Sequence, residues 1–134
     1  MGLGMKKGRT KAPAPVRVLI ADDHRLFAEA LEAVLATEER VEVVGRAADG
    51  SEAVALARTL RPDVIALDIS MPVMDGFEAA AELGRLEHPP AVLMLTGSNA
   101  PEDVERARRA GVKGYVTKDA IAAKLVDAIL EAAG

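Results

Sequence analysis

Cysteine and tryptophan are absent from this 134-residue sequence, and aromatic residues make up only 2% of it. Without cysteine, disulfide bridges and thiolate chemistry are excluded and a reducing compartment is permitted, so the expected location is cytoplasmic. No apolar run approaches the roughly 20 residues needed to cross a bilayer, so no membrane segment is expected. No secretory leader is expected either, because Lys6, Lys7, Arg9 and Lys11 run into Ala12-Pro13-Ala14-Pro15 with no apolar stretch between them. There is no repeated motif, which disfavours a solenoid.

What is present is 50% hydrophobic and 28% charged, the profile of one domain around one core. The formal charge of −4 conceals an asymmetry. Residues 1–15 carry four bases and no acid, which leaves 13 bases and 21 acids, a balance of −8, on residues 16–134. An acidic body argues against nucleic-acid binding by the domain itself. The basic head is too short and too rich in glycine and proline to fold alone, and residues 1–15 are expected to be a disordered tail. The second methionine, Met5, is compatible with part of that head being an expression tag.

From Val16 onward, strand-like and helix-like patterns alternate five times. The strands are expected at Val16–Ala21, Val41–Val44, Val64–Leu67, Ala91–Leu95 and Gly114–Val116. The intervening helices announce themselves differently. Phe27, Leu31, Val34 and Leu35 share one face at helical spacing. Asp49 to Glu52 offers capping side chains. The third helix is expected from about Asp75 to Leu86. Pro101, Glu102 and Asp103 start the fourth, whose last turns hold Arg106, Arg108 and Arg109 before Gly111. Ile121, Leu125, Ala128 and Ile129 form the inner face of the last helix. Strict alternation implies an α/β fold: a doubly wound five-stranded parallel sheet with helices on both faces. Strands one, three and four are the most apolar and should be central, giving the flavodoxin-like order 2-1-3-4-5.

Four strand ends carry groups that apolar packing would not select: Asp22 and Asp23, Asp68, Thr96 and Lys118. In a parallel sheet these ends share one edge, where open α/β sheets bind ligands. Asp68 ends a buried strand, where an unpaired charge is costly, and Pro72 and Asp75-Gly76 turn the chain just beyond it. Three carboxylates in one crevice call for a cation. Mg²⁺ suits an all-oxygen set, with Asp23 and Asp68 as direct ligands, Asp22 through water, and the Ser70 backbone carbonyl as a further ligand. Asp22 and Asp23 can face it together only where the chain is leaving strand geometry. A carboxylate flanked by a metal and the Lys118 ammonium can act as a nucleophile towards phosphorus, with the Thr96 hydroxyl donating to another phosphoryl oxygen.

On these pieces the sequence resembles the receiver domains of two-component response regulators. The matching segments are Asp22-Asp23, Asp68-x-x-Met71-Pro72-x-Met74-Asp75-Gly76, Thr96-Gly97, and Ala110-Gly111-Val112-Lys113-Gly114-Tyr115-Val116-Thr117-Lys118, within residues 16–133. The resemblance implies that Asp68 accepts a phosphoryl group from a histidine kinase, and that Asp22, Asp23 and the Ser70 carbonyl position Mg²⁺. It implies that Thr96 moves towards the phosphate, that Tyr115 changes rotamer with it, and that Lys118 pairs with the phosphate. Gly97 leaves room beside the phosphate, and Ser70 and Ser98 stand where such domains tune dephosphorylation. Asp119 follows the lysine where many receivers have proline, as in the subfamily with a LuxR-type helix-turn-helix. A cis peptide is therefore not expected there. The chain ends at Gly134, and it is expected to be either an excised receiver, whose DNA-binding output domain is absent from this sequence, or a natural single-domain protein. Homodimerisation is open, through the first and fifth helices or the fourth helix, fifth strand and fifth helix.

Plainer readings stand beside these. Asp22 or Asp23 could cap the first helix, Thr96 could bond to backbone, Lys118 could be solvated, and Tyr115 could be a half-buried edge residue. His24 and His88 read as structural or solvent-facing, without a metal role. A haloacid-dehalogenase-type phosphatase also uses Asp, Thr, Lys and Mg²⁺, but it places its nucleophile after the first strand as Asp-x-Asp, and here that strand ends in adjacent acids. A phosphorylation-independent adaptor would not need the full acidic and lysine set. The expected activity is that of a phosphoacceptor, not a multi-turnover enzyme.

Overall fold

Five apolar stretches become the strands of one parallel sheet. In the computed structural model, which describes residues 14–97 and 100–134, they are β1 (Val16–Ala21), β2 (Val41–Ala47), β3 (Val64–Asp68), β4 (Ala91–Thr96) and β5 (Gly114–Thr117). Their order is β2-β1-β3-β4-β5, as the gradient of apolarity across the strands requires. Residues 1–13 of the expected tail, and Ser98, lie outside the described residues. Among the described residues no helix is long and apolar enough to cross a membrane.

The helices are α1 (Arg25–Ala36), α2 (Gly50–Leu60), α3 (Gly76–Leu83), α4 (Pro101–Arg109) and α5 (Ile121–Ala133), with a short 3₁₀ turn at Lys118–Ala120. Strand alternation divides the core in two. Leu19, Ala21, Ile65, Leu67 and Met94 face Ala53, Val54 and Ala57 of α2, Phe77 and Leu83 of α3, and Ala107 of α4. Val18, Ile20, Ala66, Leu93 and Leu95 face Leu31 and Leu35 of α1 and Leu125 and Ile129 of α5. β1, β3 and β4 are therefore apolar on both sides, which is why they read as continuous hydrophobic runs.

Two boundaries differ from the sequence expectation by three residues each, while β3, β4 and β5 each run one residue further than expected, to Asp68, Thr96 and Thr117. β2 continues past Val44 to Ala47, because its register with β1 slips between Val18 and Leu19. Such a bulge breaks the period-two pattern from which a strand is read. α3 stops at Leu83 instead of Leu86. Its tail tightens into turns in which Arg85 N–H donates to the Glu82 carbonyl and Leu86 N–H to that of Leu83, ahead of Pro89-Pro90, which cannot continue a helix. The peptide between Lys118 and Asp119 is trans.

Candidate functional site

β3 delivers Asp68 to the carboxyl edge of the sheet. The strand is buried throughout, and Asp68, its last residue, is only 2% exposed. Asp22 lies one residue beyond β1, where its N–H donates to the Ala47 carbonyl, and it is 3% exposed. The chain has left strand geometry at that point, so adjacent acids no longer alternate across the sheet. The four side chains Asp22, Asp23, His24 and Asp68 each offer one ligand atom, and these atoms lie within 4.8 Å of one another.

Lys118 completes the cluster from the 3₁₀ turn after β5. Its Nζ lies 3.1 Å from Asp22 Oδ2 and 3.4 Å from Asp68 Oδ1. The approach to Asp22 Oδ2 lacks the alignment of a hydrogen bond, and Asp22 Oδ2 and Asp68 Oδ2 are buried oxygens with no hydrogen-bond partner. Burial, followed by the neighbouring Asp22 carboxylate, pushes the Asp68 carboxyl above the usual carboxylate range, while Lys118 and the Ser70 N–H pull it back. One ammonium thus serves two buried acids, a donor set that a further cation would complete.

Thr96 closes β4, is 5% exposed, and pairs in register with Thr117, the residue before Lys118. Tyr115 is half-buried on β5 and packs against the core on the α2, α3 and α4 side. Thr96 has the strand parity of Met94, which belongs to that same side. A Cβ added at Gly97 would meet nothing within 4 Å, so open space adjoins Thr96. Ser70 is exposed in the loop between β3 and α3, and Gly76 N–H donates to the Ile69 carbonyl across that loop. Asp22 accepts from the His24 N–H at 2.8 Å. His24 is the residue preceding α1, but no side chain caps that helix, so helix capping does not account for the acid pair.

A family model described as the response regulator receiver domain matches residues 18–130. The chain belongs to this family. The transcriptional regulatory protein NarL of Mycobacterium tuberculosis is 39% identical over 121 residues, which cover 90% of this chain and 56% of NarL. The solved receiver domain of that NarL superposes with a TM-score of 0.86 at 39% identity, covering 90% of this chain and 98% of the other. A LuxR-family two-component response regulator from Aurantimonas sp. SI85-9A1 gives 0.84 at 30% identity, covering 89% and 85%. The chain spans little more than half the length of the curated relatives it matches.

Two residues of this receiver domain's site escape sequence reasoning. Phe27 reads as core from its helical spacing, yet it is half-buried and its ring lies 4.4 Å from Lys118 Nζ. His24 reads as structural or solvent-facing, and its ring is indeed largely exposed; the partners themselves go unread, its Nδ1 lying 3.3 Å from both Asp22 Oδ1 and Asp23 Oδ1. Periodicity carries no signal for either contact. Adjacency to an acid pair was the only sign for His24. His88, by contrast, is exposed beyond α3 and away from the acids, as expected.

Proposed function

We propose that this receiver domain is a phosphorylation switch in which Asp68 accepts a phosphoryl group from the phosphohistidine of a histidine kinase. The observation that carries the proposal is the buried Asp68 carboxylate, one oxygen facing Lys118 at 3.4 Å and the other without a partner. The orphaned acids and the all-oxygen donor set suit Mg²⁺, with Asp22, Asp23, Asp68 and the Ser70 carbonyl holding it. When bound, Mg²⁺ supplies positive charge to the phosphoryl oxygens. Asp68 provides the nucleophilic oxygen: its bond to phosphorus forms as the phosphorus–nitrogen bond of the donor breaks and the donor imidazole leaves. Lys118 pairs with a second oxygen as charge spreads over the group. Thr96 closes in with its hydroxyl, and Tyr115 turns inwards on the same side of the sheet.

The product is a new charge at a buried edge, and its consequence is a change in partner or dimer affinity. The LuxR-family resemblance supports a transcriptional output domain as the element controlled, with DNA contacted through that domain alone. A cytoplasmic location follows from a kinase-fed switch. The domain assists its own phosphorylation and dephosphorylation without being a conventional multi-turnover enzyme.

The test is incubation with acetyl phosphate or phosphoramidate and Mg²⁺, followed by intact mass measurement. Wild type should gain one phosphoryl mass, Asp68→Asn none, and chelation of Mg²⁺ should abolish the gain. Equal labelling of wild type and Asp68→Asn would rule the proposal out.

A further inference from the structure

The acid pair is followed by a nitrogen donor, and that changes which cations the site selects. His24 Nδ1 stands 3.3 Å from Asp22 Oδ1 and 3.3 Å from Asp23 Oδ1, and all ligand atoms, including that of Asp68, fall within 4.8 Å. An ion with bonds of about 2.0–2.2 Å holds neighbouring ligand atoms roughly 2.8–3.6 Å apart, between octahedral and tetrahedral angles. His24 Nδ1 therefore already sits at the spacing of one coordination sphere. The burial of the cluster's inner acid also points to a ligand: Asp68 is 2% exposed, and its Oδ2 is buried without a hydrogen-bond partner.

We propose that His24 is a nitrogen ligand that lets Asp22, Asp23 and Asp68 hold a borderline transition-metal ion of the zinc(II) or cobalt(II) class more tightly than Mg²⁺. The inference rests on reading the acidic edge as a cation site and adds a second class of occupant. Carboxylates and carbonyls serve hard ions such as Mg²⁺, whereas imidazole suits zinc, cobalt and nickel. Mg²⁺ gains little from His24, because it dehydrates reluctantly and prefers oxygen. Replacing His24 should therefore split the two classes. The imidazole meets Asp22 from the rim, and its ring is 66% exposed, so an arriving ion does not have to displace packed side chains.

The experiment uses the full chain and the His24→Asn variant. The asparagine amide can keep a hydrogen bond to Asp22 while being a poor zinc ligand. Cobalt(II) is titrated by its visible ligand-field absorption and zinc(II) by competition against it. Magnesium is followed by the backbone amide shifts of Asp23, Asp68 and Ser70. We expect His24→Asn to weaken cobalt and zinc by at least tenfold while leaving magnesium within about twofold, consistent with the 10–100-fold effects of altering metal-site shells. Zinc should shift the ring nitrogens of His24 and not those of His88, and His88→Gln should bind as wild type does. Unchanged zinc and cobalt affinity in His24→Asn, or zinc reporting on His88, overturns the proposal. If magnesium leaves the amides of Asp23 and Asp68 unmoved while zinc still requires His24, the magnesium reading fails and the His24 ligand stands. If neither ion binds, both fail.

Discussion

Asp68 shows how the side chain proposed to accept phosphate can also cost stability. Its carboxyl is raised by burial and then by Asp22, against the pull of Lys118 and the Ser70 N–H. The folded chain thus binds this proton more tightly than the unfolded chain does. The fold is penalised as pH rises from the ordinary aspartate range towards the raised folded value, and the penalty is complete above it. Asp68→Asn removes the charge. Without divalent cations at pH 7, the variant should be more stable by on the order of 1 kcal/mol, read as a melting temperature a few degrees higher. The gain should vanish below about pH 4, where wild type is itself protonated at this position. A melting temperature no higher than wild type at pH 7 contradicts the account. Phe27 offers a second residue-scale test, because its ring lies 4.4 Å from the Lys118 ammonium. A cation–π contact at a partly exposed site is worth about 0.5–1 kcal/mol, so Phe27→Leu should slow labelling by acetyl phosphate about two- to fivefold. Phe27→Tyr should restore the rate; equal rates in all three proteins would show that the ring does not hold the lysine. The placement of Asp22, Asp23, Asp68, Thr96 and Lys118 at the ends of strands was legible in the sequence because charge and hydroxyl end the apolar runs. The contacts of Phe27 and His24 were not, because nothing in a one-dimensional pattern records what lies above a ring.

At the scale of elements, the loop between β3 and α3 matters most, because it carries Ser70 beside Asp68. Two devices fix it. Asp75 caps α3 by accepting from the Glu78 N–H, while the Glu78 carboxylate accepts from the Asp75 N–H, a reciprocal box that holds the loop's far end. Gly50, at the start of α2, lets the loop backbone come close: a Cβ there would fall 2.2 Å from the Met74 carbonyl oxygen. Backbone cannot swing aside as a side chain can, so Gly50→Ala should push the loop outwards. The expected cost is about 1–3 kcal/mol of stability, together with weaker Mg²⁺ binding seen in the Ser70 amide. Gly97→Ala, in open space, should leave stability within about 0.5 kcal/mol. Equal melting temperatures for the two variants would refute the contrast. Caps and starts of helices were readable from Asp49, Asp75 and Pro101, because short polar side chains and proline act locally. The bulge in β2 and the early stop of α3 were not, since both depend on pairing and turn geometry beyond the local pattern.

Over the whole molecule, five strands bring side chains from four distant parts of the sequence to one edge. That convergence follows from parallel topology, and the order β2-β1-β3-β4-β5 was legible because burial on both faces makes β1, β3 and β4 uniformly apolar. Asp68 and Lys118 meet at 3.4 Å because β3 and β5 flank β4, so that the last residue of β3 and the residue just after β5 reach the same rim. The account's central claim is that this rim makes Asp68, among 21 acidic residues, the one carboxyl that takes up a phosphoryl group. The direct test is to treat the protein with acetyl phosphate and Mg²⁺, reduce the acyl phosphate with borohydride, and map the peptides by mass spectrometry. The account predicts homoserine at position 68 and unmodified aspartate at 22, 23 and 75. Homoserine at another carboxylate, with Asp68 intact, would contradict it.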